Sequence, residues 1–204
     1  RELSMMTPES IADRLGSTGL CVVPGFLSAS ELRDTRADLD AVQKAGLLHR
    51  AGTGQNDQQA VHDLVRRDEI HWLDKGSVVP VQSALFEKLA GLQQAFNRGL
   101  YLGLDDFEGH YAVYPAGGFY RRHLDSFRND NSRVVSLVIY LNHEWQTSDG
   151  GELRVYEKDG SHTSISPIGG TMVCFMSQES EHEVMQSHRS RSSFAGWFKR
   201  GSRT

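Results

Sequence analysis

The run RRHLDSF places an imidazole and a carboxylate two residues apart, at His123 and Asp125. Residues at that spacing on a strand point to the same side, so both groups can address one centre. His182, in the later run SEHEV, is the best-placed third donor, because a barrel can bring two distant strands side by side. Two histidines and one carboxylate on one side of an ion leave three positions open, the arrangement iron(II) oxygenases use to admit a cosubstrate and oxygen. A bare His-X-Asp is also a common structural pair, and with nine histidines in the sequence most must be bystanders. His49, His62, His71, His143, His162 and His188 lie in polar or turn-like surroundings, and His110 opens a strand without an acidic residue at the right offset.

An oxygenase of this kind makes a second demand. A five-carbon diacid that chelates the metal at one end must have its far carboxylate neutralised, and an arginine fork does this with two parallel bonds that lysine cannot reproduce. Arg191 opens the run RSSFAGWFK nine residues after His182, on the same side of that strand as Ser193, Ala195 and Trp197. Tyr140, in RVVSLVIYLN, can add a phenol donor.

These groups need a frame. After residue 105 the sequence breaks into eight short β-like runs: HYAVYP, GFYRRHL, RVVSLVIYLN, GELRVYE, HTSIS, GTMVCFM, HEVMQ and RSSFAGWFK. That texture predicts a closed or double-sheet antiparallel barrel, since closure removes exposed strand edges. Before residue 105 the pattern is mostly helical. A helix from Ser4 to Leu15 is expected to stop at Gly16 and Gly19, LCVVPGF reads as a buried strand, and Ser28 with Glu31 forms a capping box for a helix to Ala45. A further helix runs from about Pro80 to Leu102, and the helices should back one sheet. The fold class is therefore mainly β with flanking helices, read as one domain over 1–204, with helix-rich support over 1–104 and a β core over 105–200. RAGTGQNDQQAVHD, with no apolar period, reads as a mobile loop.

Composition narrows the partners. A formal net charge of -4 gives no general attraction to phosphate backbones, which disfavours nucleic acid. No apolar run approaches the roughly 20 residues of a membrane span, and RELSMMTPES lacks the apolar core of a signal peptide. Cys21 and Cys174, the only cysteines, sit in apolar runs as small buried hydrophobes. A reducing cytoplasmic setting is the expectation.

From about Arg67 onward the sequence resembles the 2-oxoglutarate- and iron(II)-dependent prolyl 4-hydroxylases, in particular the branch holding the animal hypoxia-factor prolyl hydroxylases and their bacterial relatives. The resemblance rests on RRDEIHWL, YPAGGFYRRHLDSF, IYLNHEW followed by DGGELRVY, and HEV followed by Arg191, Trp197 and Phe198. It implies a double-stranded β-helix, or jelly-roll, backed by N-terminal helices. It implies iron at His123, Asp125 and His182, and cosubstrate contacts from Arg191 and Tyr140, with Tyr114 and Tyr120 lining the same pocket. Asp68, Arg133 and Trp197 match positions near the substrate mouth. The implied reaction uses iron(II), 2-oxoglutarate and O2, with ascorbate in support, and hydroxylates carbon 4 of a prolyl residue while releasing succinate and CO2. The implied partner is a protein containing the target proline, elongation factor Tu for bacterial members, acted on by a monomer. The segment from Arg50 to Trp72 resembles the finger loop that members fold over a bound peptide.

Two departures stand out. The glycine-rich turn between Tyr114 and Tyr120 is one residue shorter than in the animal enzymes, and Ala195 stands where those carry threonine. The same chemistry on a free amino acid or small metabolite, and a non-catalytic peptide-binding barrel, are the competing readings. A zinc hydrolase would leave Arg191 and Tyr140 without a role.

Overall fold

The computed structural model describes residues 6–51, 66–126 and 130–201. The loop expected over residues 50–63, part of the segment from Arg50 to Trp72 likened to a finger loop, lies outside the described residues from 52 onward. Among the described residues three α-helices, α1 (Pro8–Thr18), α2 (Ala29–Lys44) and α3 (Pro80–Leu100), lie among strands β1 (Leu20–Val23), β2 (His49–Arg50) and β3 (Glu69–Trp72). Then follow β4 (Asp106–Tyr114), β5 (Tyr120–His123), β6 (Arg133–Tyr140) and β7 (Leu153–Tyr156). The last strands are β8 (His162–Ile165), β9 (Met172–Met176), β10 (His182–Val184) and β11 (Arg191–Lys199). The eight runs expected after residue 105 correspond to β4 through β11.

The helix signals operate locally as read, with corrections to where the first and third helices begin and end. Ser28 accepts from the Glu31 amide at 3.2 Å while Glu31 accepts from the Ser28 amide at 3.0 Å, closing the capping box. At the first helix Thr7 is the N-cap and Pro8 the first helical residue. Gly16 does not stop α1: the helix passes through it and ends at Gly19, whose φ of 73° is the left-handed conformation that glycine adopts without strain. Gly16 is there for packing instead, since a Cβ at that position would lie 2.5 Å from Leu100 of α3. The third helix ends at Leu100, short of the expected Leu102, because Tyr101 turns left-handed.

Two antiparallel sheets form the jelly-roll. The larger has the order β1-β9-β6-β11-β4-β3-β2 and the smaller β5-β10-β7-β8. The core strands divide four and four between the sheets, and β1, β2 and β3 extend the larger one at both ends. Alternation gives its central strands two different apolar jobs. On the helix side, Phe107, Tyr111, Val135, Leu137, Ile139, Phe194 and Phe198 join residues of the three helices in one core. Ala112, Tyr114, Tyr140, Val173 and Phe175 face inward with Leu153, Val155 and Val184 of the small sheet. Cys21 and Cys174 face each other across β1 and β9, both buried thiols, as expected from their apolar runs.

Gly109 and Gly196 are direct partners across β4 and β11. Each leaves space on the helix side for a phenylalanine ring. A Cβ on Gly196 would lie 2.3 Å from Phe107 Cζ and 2.9 Å from the Glu108 carbonyl oxygen. Overpacking of this kind costs about 1–3 kcal/mol. Gly196→Ala is therefore expected to lower the urea midpoint without changing the slope, and an unchanged midpoint would show that the Phe107 ring yields freely.

Candidate active site

His123 and His182 are directly paired across β5 and β10, so the smaller sheet alone sets the spacing of the two imidazoles. The strand expected to carry both His123 and Asp125 ends at His123, and Asp125 lies in the turn just beyond. Freed from the strand ladder, its carboxylate still meets both rings: Asp125 Oδ1 is 3.4 Å from His123 Nε2 and 3.2 Å from His182 Nε2. All three donor atoms lie within 4.8 Å of one another. Adjacent ligands of an ion held at about 2.1 Å are separated by roughly 3 Å, so the set can close on one metal with little movement.

The far side of each ligand is fixed too. His123 Nδ1 lies 2.6 Å from the Arg121 carbonyl and His182 Nδ1 lies 3.0 Å from that of Ser180. A carbonyl only accepts, so each Nδ1 carries the hydrogen, and whenever a ring is neutral its Nε2 lone pair faces the centre. Asp125 Oδ2 accepts from Ser136 Oγ at 2.6 Å and from Trp197 Nε1 at 2.9 Å. Ser136 Oγ is in turn 2.8 Å from Ser177 Oγ. Because an ionised carboxylate cannot donate, the Ser136 hydroxyl points to Asp125 and Ser177 donates to Ser136. Burial opposes ionisation of Asp125, but the neighbouring His182 charge and the histidine hydrogen bonds outweigh it and hold the carboxyl well below its ordinary range. Burial pushes the His123 imidazole down. At His182 burial also opposes the charge, and Asp125 overcomes it to raise that ring.

A cavity of about 420 Å³ opens over the triad between the two sheets. Arg191, only 2% exposed, borders it with Nε donating 2.8 Å to the Gly151 carbonyl. The rings of Tyr140 and Tyr114 flank its guanidinium at 5.1 and 5.3 Å, an arrangement that favours the cation. Among the described residues no carboxylate pairs with it, and the Tyr140 hydroxyl is buried without a hydrogen-bond partner. A buried cation beside an orphaned phenol is a site shaped for an anion supplied from outside, so the residues present fit a dicarboxylate cosubstrate. Gly151, with φ 69°, makes the turn that presents its carbonyl, and a Cβ there would lie 3.1 Å from Arg191 Cδ.

The remaining expected residues border the same cavity. Tyr120 packs against the His123 ring with centroids 3.6 Å apart, and the Arg66 guanidinium lies 4.5 Å above the Tyr120 ring. Asp68 is buried and takes two 2.7 Å bonds from Arg66. Arg133 lies 3.7 Å over the Trp197 ring and donates 3.0 Å to Glu108. All ten residues singled out from the sequence thus converge on one cavity. Four others were not anticipated. Arg66 could have been found as the first member of the RRD triplet; Ser136 and Ser177 carry no sequence signal, since only sheet register brings them to Asp125. His110, set aside as a bystander, lines the cavity between Trp72 and Trp197.

The sequence profile of the 2OG-Fe(II) oxygenase superfamily matches residues 109–199. A solved prolyl-4-hydroxylase from Pseudomonas putida is 39% identical, with a TM-score of 0.86 over 96% of this chain and all of the other. A Trichoplax adhaerens prolyl hydroxylase, solved with a peptide of hypoxia inducible factor, is 24% identical with a TM-score of 0.82, over 94% of this chain and 88% of that one. The hypoxia-inducible factor prolyl hydroxylase of Caenorhabditis elegans is 27% identical over 93% of this chain, which spans 28% of that protein's length.

Ser136→Ala removes one of the two donors to Asp125 Oδ2 and should weaken cobalt(II) or iron(II) binding about tenfold to a hundredfold, as measured by metal titration. Unchanged affinity would assign the orientation of Asp125 to Trp197 alone. For Arg191→Lys the charge survives but the fork does not. The 2-oxoglutarate concentration for half-maximal turnover should then rise roughly tenfold to a hundredfold. Unaltered cosubstrate dependence would place the far carboxylate elsewhere.

Proposed function

The chain belongs to the 2OG-Fe(II) oxygenase superfamily, within its prolyl 4-hydroxylase group, and from that premise we propose that it hydroxylates carbon 4 of a prolyl residue in a protein, converting 2-oxoglutarate and O2 to succinate and CO2. The observation that carries this is the convergence of three features on one cavity: the His123–Asp125–His182 triad, the buried Arg191 with its orphaned Tyr140 phenol, and an aromatic mouth of Trp72, Trp197 and Tyr120.

Iron(II) with chelated 2-oxoglutarate supplies the oxidising power when bound. The protein's own groups do the rest by position. The two Nε2 atoms and Asp125 Oδ1 would hold the metal. With Oδ2 engaged by Ser136 and Trp197, the carboxylate has only Oδ1 left to offer it. Arg191 and Tyr140 receive the far carboxylate of the cosubstrate and so fix which end meets the metal. Phe175, packed 4.6 Å from the His182 ring, and Val184 and Leu153 keep that face of the cavity apolar and exclude water. At the mouth the Trp197 and Trp72 rings, 6.0 Å apart, offer flat surfaces for a pyrrolidine ring.

Elongation factor Tu is the substrate we propose to try first. The test is incubation of purified elongation factor Tu with the protein, iron(II), ascorbate and 2-oxoglutarate, followed by succinate measurement and peptide mass spectrometry. The expected outcome is succinate release matched by one added oxygen on a single prolyl residue. Succinate release with no oxidised peptide in either elongation factor Tu or a whole-cell extract would favour a small-molecule substrate. No succinate from iron-loaded protein under any condition would overturn the catalytic reading.

A further inference from the structure

His110 has no part in the roles assigned so far, yet it is 4% exposed and borders the cavity. It lies on the inner side of β4, opposite Ala195 of β11 and Trp72 of β3. Its ring meets Trp72 edge-on, with centroids 4.7 Å apart at 89°, and Trp197 at 5.4 Å. Its Nδ1 is 3.1 Å from the Tyr111 carbonyl oxygen. That oxygen can only accept, so Nδ1 carries the hydrogen, and the neutral ring keeps its lone pair on Nε2, the far corner from the backbone. Burial pushes the imidazole down to about 4, which leaves it neutral at ordinary pH. Among the described residues Nε2 has no hydrogen-bond partner. The mouth thus holds an acceptor that borders the cavity and to which no described side chain donates, while the nearby acceptor Asp68 is already occupied on both oxygens by Arg66.

We infer that His110 Nε2 is a specificity-determining contact that accepts a hydrogen bond from the backbone N–H immediately following the target proline. The inference rests on the prolyl reading above and deepens it. A prolyl nitrogen within a polypeptide is a tertiary amide with no hydrogen to give. The nearest donor a prolyl substrate can offer is therefore the amide of the next residue. Free proline, or a proline at the C-terminus of a polypeptide, has a carboxylate at that place. An anion there would meet the His110 lone pair instead of satisfying it. The substrate class is accordingly an internal prolyl residue with a secondary amide after it.

Two small probes isolate that hydrogen: N-acetylproline methylamide, which has the N–H, and N-acetylproline dimethylamide, which lacks it. Both are titrated by NMR into zinc-loaded protein with 2-oxoglutarate bound. Wild-type protein should bind the methylamide about threefold to tenfold more tightly, the span of one ordinary hydrogen bond. His110→Phe keeps an aromatic ring between the two tryptophans and removes the acceptor, so the preference should vanish there. Equal binding of both amides by the wild type overturns the inference, as does a preference that persists in folded His110→Phe. Binding of neither amide overturns the prolyl reading and the inference with it. If the variant does not fold, equal binding of the two amides by the wild type still overturns the inference.

Discussion

A carboxylate removed from water is costly unless its lone pairs are met, and the Asp125 side chain is only 12% exposed in this fold. Its two oxygens are met from opposite directions. The histidines of the small sheet address Oδ1, while Ser136 and Trp197 of the large sheet address Oδ2. The ionised state of this one group depends on both sheets holding their separation. The cavity, the orientation of the indole at its mouth and the shared face of the imidazoles all follow from that constraint.

The large sheet can meet the demand because each of its central strands is apolar on one face and chemically varied on the other. On β11, Phe194 and Phe198 enter the helix-side core while Arg191, Ser193, Ala195 and Trp197 border the cavity. On β6, Val135, Leu137 and Ile139 enter that core, and Ser136, Val138 and Tyr140 turn inward. The described helices place no side chain at the cavity. They bury one face, which fixes the pleat, and the pleat decides which residues meet in the middle.

Sequence legibility followed the range of the interaction. His123 and Asp125 were readable because their relation is two residues long, although Asp125 reaches the centre from a turn and not from the strand. Arg191 was readable from the chemistry of a diacid together with strand alternation. Ser136 and Ser177, 41 residues apart, were not, since their contact exists only through the pairing of β6 with β9. Gly16 misled because a glycine in a helical pattern signals either an end or a close approach, and the choice was made by Leu100, far along the sequence. His110 was passed over for a similar reason: its surroundings come from β3 and β11, neither of which is its neighbour in sequence.

The proposed metal ligands hang from β5 and β10 and the turn after β5, whereas the proposed cosubstrate anchor hangs from β11 and β6. A dicarboxylate that reaches from one to the other is then a crossbeam between two walls. Among the described residues the inner faces of those walls meet mainly through apolar side chains near the middle of the sandwich. If a diacid spans the two walls as proposed, the sandwich borrows stiffness from its small-molecule reactant, and a diacid shortened by one carbon no longer reaches both walls.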